Sequence, residues 1–141
     1  MTQQDKDLLL RDLSARLPYK PKIKVLSLWN ENKEVEKDIV DSIYCVMSDG
    51  YINTETIDSD ISLDDIVLYL RPMSSMTDDE RKEYNDIVKN TIDFYVCPKS
   101  EEICFFTIPI DWLNSHHFDY RGLIEKGLAI EVTKENNPYG K

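Results

Sequence analysis

The stretch KIKVLSLWNENKEVEKDIVDSIYCVMSDGYINTETI, residues 22–57, decides the fold class of this chain. From Lys22 to Trp29, apolar residues alternate with polar ones, which is the pattern of a half-buried strand. A second run of this kind extends from Val35 to Val46. Asp49-Gly50 then predicts a tight hairpin into a third strand over 51–57, because glycine accepts the positive φ that such turns need. Three consecutive strands with short connections predict an antiparallel meander.

The alternation also assigns faces to the side chains of the second strand. Ile39, Ile43 and Cys45 are predicted to face the core, since they lie at even spacing. Tyr44 and Val46 are then predicted to face the opposite way.

Helical patterns flank the predicted sheet. Between residues 5 and 17 the leucines recur at helical spacing, and Pro18 ends the run. After the sheet, residues 62–70 are interpreted as a short helical or turn segment that Pro72 stops.

The second half of the chain contains the clearest helix signal. Thr77 and Glu80 form a capping box, which predicts a helix over about 77–93. Residues 94–106 are interpreted as a hairpin, because two apolar runs flank a polar loop.

The remaining C-terminal residues predict a further helix and a short strand. Pro109 suits the first position of a helix that continues to His117, and Gly127 is interpreted as a C-cap glycine. A last strand is predicted from Leu128 to Val132, and residues 133–141 are expected to be a frayed tail.

Together these patterns predict an α+β fold with an N-terminal helix, a small antiparallel sheet and a helical C-terminal part. An SH3-like barrel is one way in which such a sheet could close. Residues 1–141 are interpreted as a single domain with a β-rich lobe over about 20–70, a mainly helical lobe over about 77–132, and the tail.

Composition limits the function classes. Of the 141 residues, 27 are acidic and 17 are basic, which gives a formal charge of -10 and disfavours nucleic acid as a partner. A nucleic-acid-binding surface would need the basic loop region that contains Arg16, Lys20, Lys22 and Lys24. The polar start of the chain and its lack of long apolar runs predict a cytoplasmic protein that does not cross a membrane.

The two histidines are the main candidates for chemistry. His116 and Asp119 lie three residues apart, so both would share one face of a continuing helix, with His117 and Arg121 beside them. This grouping would suit a hydrolase or a metal site, although neighbouring helical residues point about 100° apart. The alternative is a structural pair of histidines with a local carboxylate partner. Because phosphate-binding glycine loops and nucleophile motifs are absent, we predict neither enzymatic activity nor a cofactor or metal.

Acidic residues concentrate between Asp58 and Asp86. Asp78, Asp79 and Glu83 could engage a basic protein partner. The alternative is a solvated helix face whose acids stabilise the positive end of the helix dipole.

Three segments carry a resemblance to a known family. These are YLRPMSSMT at residues 69–77, WLNSHHFDYRGLIEKGLA at residues 112–129, and the opening Leu-x-x-Asp-Leu-x-Ala-Arg-Leu-Pro-Tyr pattern at residues 9–19. The chain resembles a family of small uncharacterised proteins that recur in gut bacterial genomes and in their phages and mobile elements. The resemblance implies an accessory protein of a phage or mobile element, with no assigned activity.

The sequence therefore favours a non-enzymatic accessory or regulatory protein that acts by protein–protein interaction. Two alternatives are a nucleic-acid-binding module that uses the small β-sheet and a hydrolase or metal enzyme at the histidine pair. The candidate interaction residues are His116, His117, Asp119, Arg121, Arg71, Asp78, Asp79 and Glu83.

Overall fold

One helix and one mixed sheet organise most of the fold, and two further helices follow the main strands. The computed structural model describes residues 1–29, 35–94 and 102–140, with side chains at 1–26, 39–90 and 109–140. The helices are α1 (Gln3–Arg16), α2 (Asp78–Phe94) and α3 (Glu102–Ser115). The strands are β1 (Lys22–Trp29), β2 (Val35–Val46), β3 (Tyr51–Thr54), β4 (Ile61–Ser62), β5 (Ile66–Pro72), β6 (Phe118–Asp119) and β7 (Ala129–Glu131).

The described strands form an open, mixed sheet. Their order is β4-β3-β2-β1-β5-β6, with β7 also paired to β5. The pairs among β1, β2, β3, β4 and β5 are antiparallel, which confirms the predicted meander. The pairs of β5 with β6 and β7 are parallel, because the chain returns to the sheet only after α2 and α3. The expected purely antiparallel sheet and its barrel closure are therefore wrong.

The N-terminal helix forms where the leucine spacing predicts it. A capping box opens α1, in which Thr2 Oγ1 accepts from the amide of Asp5 at 3.1 Å and Asp5 Oδ2 accepts from the amide of Thr2 at 3.1 Å. Leu9 and Leu13 are fully buried in the main core against the sheet. The helix ends where a 3-10 turn at Leu17–Tyr19 begins.

A bulge changes the side-chain faces at the end of β2. Tyr44 is exposed, as the alternation predicts, and the β2–β3 register shifts between Ile43 and Cys45. Val46 instead pairs with the buried Ile52 and packs against the main core, and Cys45 pairs with Asn53 on the opposite face, so the predicted orientations of both residues are wrong. The extra residue of the bulge reverses the alternation beyond it. At the following turn Gly50 has a φ of 90°, as the hairpin prediction requires.

The segment that follows β4 is a central strand. Residues 63–65 form the predicted short turn, but the chain then extends as β5 and does not continue as a helix. Leu68 and Leu70 are buried in the core on one face, and Tyr69 is buried between them on the other. A run that is apolar on both faces lacks the alternation that marks a strand, so the sequence pattern does not distinguish it from a buried helix.

The second helix confirms its prediction from the sequence, whereas the third helix contradicts the prediction for its region. Thr77 Oγ1 accepts from the amide of Glu80 at 3.1 Å, and Glu80 Oε1 accepts from the amide of Thr77 at 3.1 Å, which confirms the capping box of α2. The predicted hairpin over 94–106 is wrong where it is described, since residues 102–106 belong to α3. Pro109 lies inside α3 and not at its start. The loop within that prediction, residues 95–101, lies outside the described residues.

Left-handed backbone conformations end the helical part. The predicted helix through His117 stops at Ser115, and His117 itself has a φ of 62°. Gly127, predicted as a helix C-cap, closes a turn in which its amide donates to Ile124 O at 3.1 Å. The predicted last strand is confirmed as β7.

The C-terminal segment contacts the sheet through Tyr139. The Tyr139 hydroxyl accepts from the amide of Lys22 at 3.1 Å and donates to the carbonyl of Tyr69 at 2.8 Å. Ile23 pairs with Leu68, so Lys22 and Tyr69 would form the next bonded pair of the β1–β5 ladder. The phenol is thus inserted between the two strands, and burial raises its pKa to about 12. At this residue the expected fraying of 133–141 is wrong.

No helix in the described ranges is long and apolar enough to cross a membrane.

We predict that Tyr139→Phe lowers the free energy of unfolding by about 1–3 kcal/mol, because the amide of Lys22 and the carbonyl of Tyr69 lose their shared partner. Urea denaturation followed by circular dichroism measures the change. The matched control is Tyr51→Phe, which removes the same atom from an exposed side chain and is expected to be neutral. Equal stability of both variants would contradict the inserted position of the phenol.

Candidate functional site

Most of the candidate residues from the C-terminal region lie in one group of cationic and aromatic side chains. We call it the arginine–aromatic cluster. Its members are Arg16, Arg71, Trp112, His116, His117, Phe118, Tyr120, Arg121 and Tyr139. The cluster brings together α1, β5, the end of α3 and the C-terminal segment.

A fully buried ion pair lies at the base of the cluster. Arg16 Nε donates to Asp12 Oδ2 at 2.7 Å and Arg16 Nη2 donates to Asp12 Oδ1 at 3.2 Å. Arg16 Nη2 also donates to the backbone carbonyl of Phe118 at 2.7 Å. Arg121 Nη1 adds a hydrogen bond to Asp12 Oδ1 at 3.2 Å. The helix α1 is therefore joined to β6 by charge-assisted hydrogen bonds.

This ion pair corrects one expectation from the sequence. Arg16 is buried, so it does not belong to an exposed basic surface with Lys20, Lys22 and Lys24. The signal that could have found the pair is an acid and a base four residues apart on the face of α1 that carries Leu9 and Leu13.

Arg71 makes a second ion pair at the upper side of the cluster. Its Nη1 and Nη2 donate to the two carboxylate oxygens of Glu80, each at 2.8 Å. The guanidinium carbon lies 4.2 Å from the centre of the Phe118 ring. The hydrogen bonds from Arg71, together with that from the Thr77 amide, lower the pKa of Glu80 to about 2. The carboxylate thus stays ionised through the neutral range and connects β5 to the start of α2.

The two histidines stack on different aromatic rings. The ring of His116 lies 4.0 Å from Trp112, and its Nδ1 is 2.9 Å from Trp112 O. The ring of His117 lies 3.6 Å from Tyr139. Each imidazole therefore has its own stacking partner.

His117 is held in its neutral form. Burial lowers its pKa to about 4, and the neighbouring charges of Arg16, His116 and Arg71 act in the same direction. Its Nδ1 is buried and has no hydrogen-bond partner within the described ranges. The backbone carbonyl of His117 accepts from the amide of Arg71 at 2.8 Å.

Asp119 anchors a turn. Its Oδ1 accepts from the amide of Leu123 and its Oδ2 accepts from the amide of Ile124, both at 2.9 Å. The predicted shared helix face of His116 and Asp119 is wrong, because α3 ends before both residues. In the part of the chain that the structure describes, no group of three or more His, Cys, Asp or Glu side chains is placed to hold a metal ion.

The acidic candidates of α2 lie apart from the contacts of the arginine–aromatic cluster. Asp78 and Asp79 occupy the exposed first turn of α2, and Glu83 follows on the exposed surface. Glu80, on the same turn, does contact the cluster, through its ion pair with Arg71. Asp78 and Asp79 lie at the positive end of the helix dipole.

An apolar surface that the sequence analysis did not single out lies on the sheet. Val40 and Lys24 are paired across β1 and β2, so their side chains share one face, opposite to the buried Ile23 and Val25. Four exposed side chains lie on this outer sheet face. They are Leu26, Val40, Tyr44 and Tyr51, with exposed fractions of 40%, 47%, 61% and 44%. Their alternation with core positions was the signal that could have revealed them.

No family of known proteins, no curated protein and no solved structure matches this chain.

We predict that Asp12→Ala lowers the free energy of unfolding by about 3–5 kcal/mol, since it leaves the Arg16 guanidinium buried without its counter-charge. The double variant Asp12→Leu with Arg16→Met removes both charges and is expected to lose much less. Urea unfolding of both variants tests this difference. A double variant as unstable as the single one would show that the uncompensated charge is not the cause.

We also predict a pH dependence that His117 controls. The folded-state pKa of His117 is about 4, below the ordinary value of 6.5, so its contribution to stability is complete above pH 6.5 and decreases as the pH falls toward 4. The decrease is at most about 3 kcal/mol. His117→Asn, whose side chain tolerates the positive φ, is expected to show a flatter stability profile in that range. Parallel profiles for the two proteins would contradict the assignment.

Proposed function

We propose that this protein is a non-enzymatic interaction module that acts as an accessory or regulatory protein of a phage or mobile element. Its protein partner docks on the outer sheet face. The observation that carries the proposal is the group of exposed apolar and aromatic side chains on β1, β2 and β3. The biological setting is part of the proposal and rests on the resemblance of residues 69–77 and 112–129.

The outer sheet face has the composition of a binding surface. Tyr44 and Tyr51 each combine a large apolar ring with a hydroxyl group, and tyrosine is enriched where interfaces contribute most binding energy. Burial of apolar area at about 25 cal/mol per Å² favours a partner that covers these rings together with Val40 and Leu26. An exposed apolar patch on one face marks a protein–protein interaction site more often than single scattered apolar side chains do.

The contacts of the arginine–aromatic cluster support a structural role for its residues. Arg16, Arg71 and Arg121 each pair with a carboxylate inside the protein, and Asp119 binds two backbone amides. These groups already use their charges within the fold.

The overall charge favours a basic partner. The formal charge of -10 and the exposed acids Asp78, Asp79 and Glu83 attract a positively charged protein over long range. Such steering raises association rates and complements the contacts of the outer sheet face.

We predict that the double variant Tyr44→Ser with Tyr51→Ser loses the partner protein at least about tenfold in affinity capture. The capture uses the full chain as bait in lysate of the host bacterium, with quantitative mass spectrometry of the retained proteins. The reason is that both rings leave the contact surface while the core is unchanged. Met73→Ser removes an exposed apolar side chain from the turn after β5 and is the matched control.

Retention of the same proteins by wild type, the tyrosine variant and the control would contradict the proposal. An equal loss in both variants would contradict it as well, since the effect would not be specific to the outer sheet face.

A further inference from the structure

One edge of β2 is covered over only part of its length. On the side of β1, residues 35–42 pair with residues 22–29. On the other side, β3 pairs with β2 only between Ile43 and Val46. Among the strands that the structure describes, none pairs with that second edge over residues 35–41. We call this stretch the free edge of β2.

The directions of the backbone groups along the free edge follow from two hydrogen bonds. The amide of Ile43 donates to Pro21 O on the β1 side, whereas the carbonyl of Ser42 accepts from the amide of Glu55 on the β3 side. Successive residues of a strand direct their backbone groups to opposite edges. The amide and carbonyl of Val40 therefore point away from β1, toward the free edge.

Asp41 separates the covered edge from the free edge. Its Oδ1 accepts from the amide of Ser42 at 2.8 Å, and its Oδ2 accepts from the amide of Thr56 at 3.0 Å. The hydrogen bonds from Thr56, Thr54 and Ser42 outweigh the effect of burial and hold the pKa of Asp41 below its usual value. The carboxylate thus binds the amides of Ser42 and Thr56 at the point where the chain after β3 turns away from β2. The β2 backbone before Asp41 pairs with no described strand on that side.

We infer that the free edge of β2 binds an extended segment of a partner protein by strand addition. The inference rests on the proposed function and specifies how the partner is recognised. A row of backbone amides and carbonyls that pairs with no described strand is a template for another extended polypeptide chain. The exposed side chain of Val40 would then contact alternate side chains of the added strand on the outer sheet face.

Charge distinguishes a different protein from a second copy of this chain. Two copies would each carry a formal charge of -10 and repel one another. Glu55, whose amide donates to Ser42 O beside the free edge, adds an exposed acid there, and Lys20 Nζ lies 3.6 Å from its carboxylate. The segment that fits is therefore an extended strand in which apolar residues alternate with lysine or arginine.

The test is selection of random dodecapeptides displayed on phage, with the full chain immobilised, followed by affinity measurements on synthetic peptides. The enriched peptides are expected to alternate apolar and basic residues. Val40→Pro removes the outward amide without affecting a hydrogen bond to β1, and it is expected to weaken binding at least tenfold. The matched control Val40→Thr keeps the amide and the branched side-chain shape, and it is expected to bind within about threefold of wild type.

A measurement on the wild-type chain complements the variants if the proline disturbs folding. Saturation with an enriched peptide is expected to slow hydrogen exchange at the Val40 amide, which faces the free edge. Peptides that bind Val40→Pro as well as wild type, no protection at Val40, or no enrichment over an unrelated bait would overturn the inference. Sedimentation equilibrium that shows a dimer dissociated by Val40→Pro would overturn it in favour of a second copy.

The outcomes separate this inference from the proposed function. If host proteins are lost from the tyrosine variant but retained by Val40→Pro, the outer sheet face is an interface and strand addition is wrong. If neither variant changes the captured proteins, the proposed function itself fails.

Discussion

The buried contact between Arg16 and Asp12 is the constraint on which the rest of the structure depends. Arg16 lies at the end of α1, and its guanidinium also binds the carbonyl of Phe118, which is 102 residues away in sequence. This contact fixes the first helix against β6, and the position of β6 sets where His117 and Tyr139 can stack. A charge that is buried this completely is tolerated because the Asp12 carboxylate and the Phe118 carbonyl bind Nε and Nη2 of the guanidinium, whereas its Nη1 has no hydrogen-bond partner among the described residues. The N-terminal helix and the C-terminal segment are thus stabilised together.

Sequence reasoning succeeded where one face of an element differs from the other. Leu9 and Leu13 define the buried side of α1, and the alternation in β1 and β2 defines the meander. It failed where that contrast is absent. The strand β5 is apolar on both faces, and the apolar residues 103–106 fit a strand or a buried helix equally well. Prediction of Val46 failed because a bulge adds one residue to the alternation.

The candidate site was predicted in part, because contacts between sequence neighbours follow from the sequence and contacts between distant residues do not. Neighbours such as Thr77 and Glu80 follow from local spacing, and they form the predicted cap. Arg71 contacts the Phe118 ring, and His117 stacks on Tyr139. In both pairs, only the fold brings the two residues close. The exposed rings of Tyr44 and Tyr51 were not recognised as a surface, although their strands were predicted. Their exposure depends on which face of the sheet has no covering layer. Local patterns identify a strand but not the side that stays open.

The position of Tyr139 has a consequence for the order in which the protein is assembled in the cell. A ribosome releases the chain from its N-terminus, so α1 and the meander leave the exit tunnel first. The hydroxyl that bridges β1 and β5 belongs to Tyr139, which follows Lys22 by 117 residues and Tyr69 by 70. Both strands are synthesised well before the residue that joins them. The junction of β1 with β5 is therefore completed only after Tyr139 itself has left the ribosome.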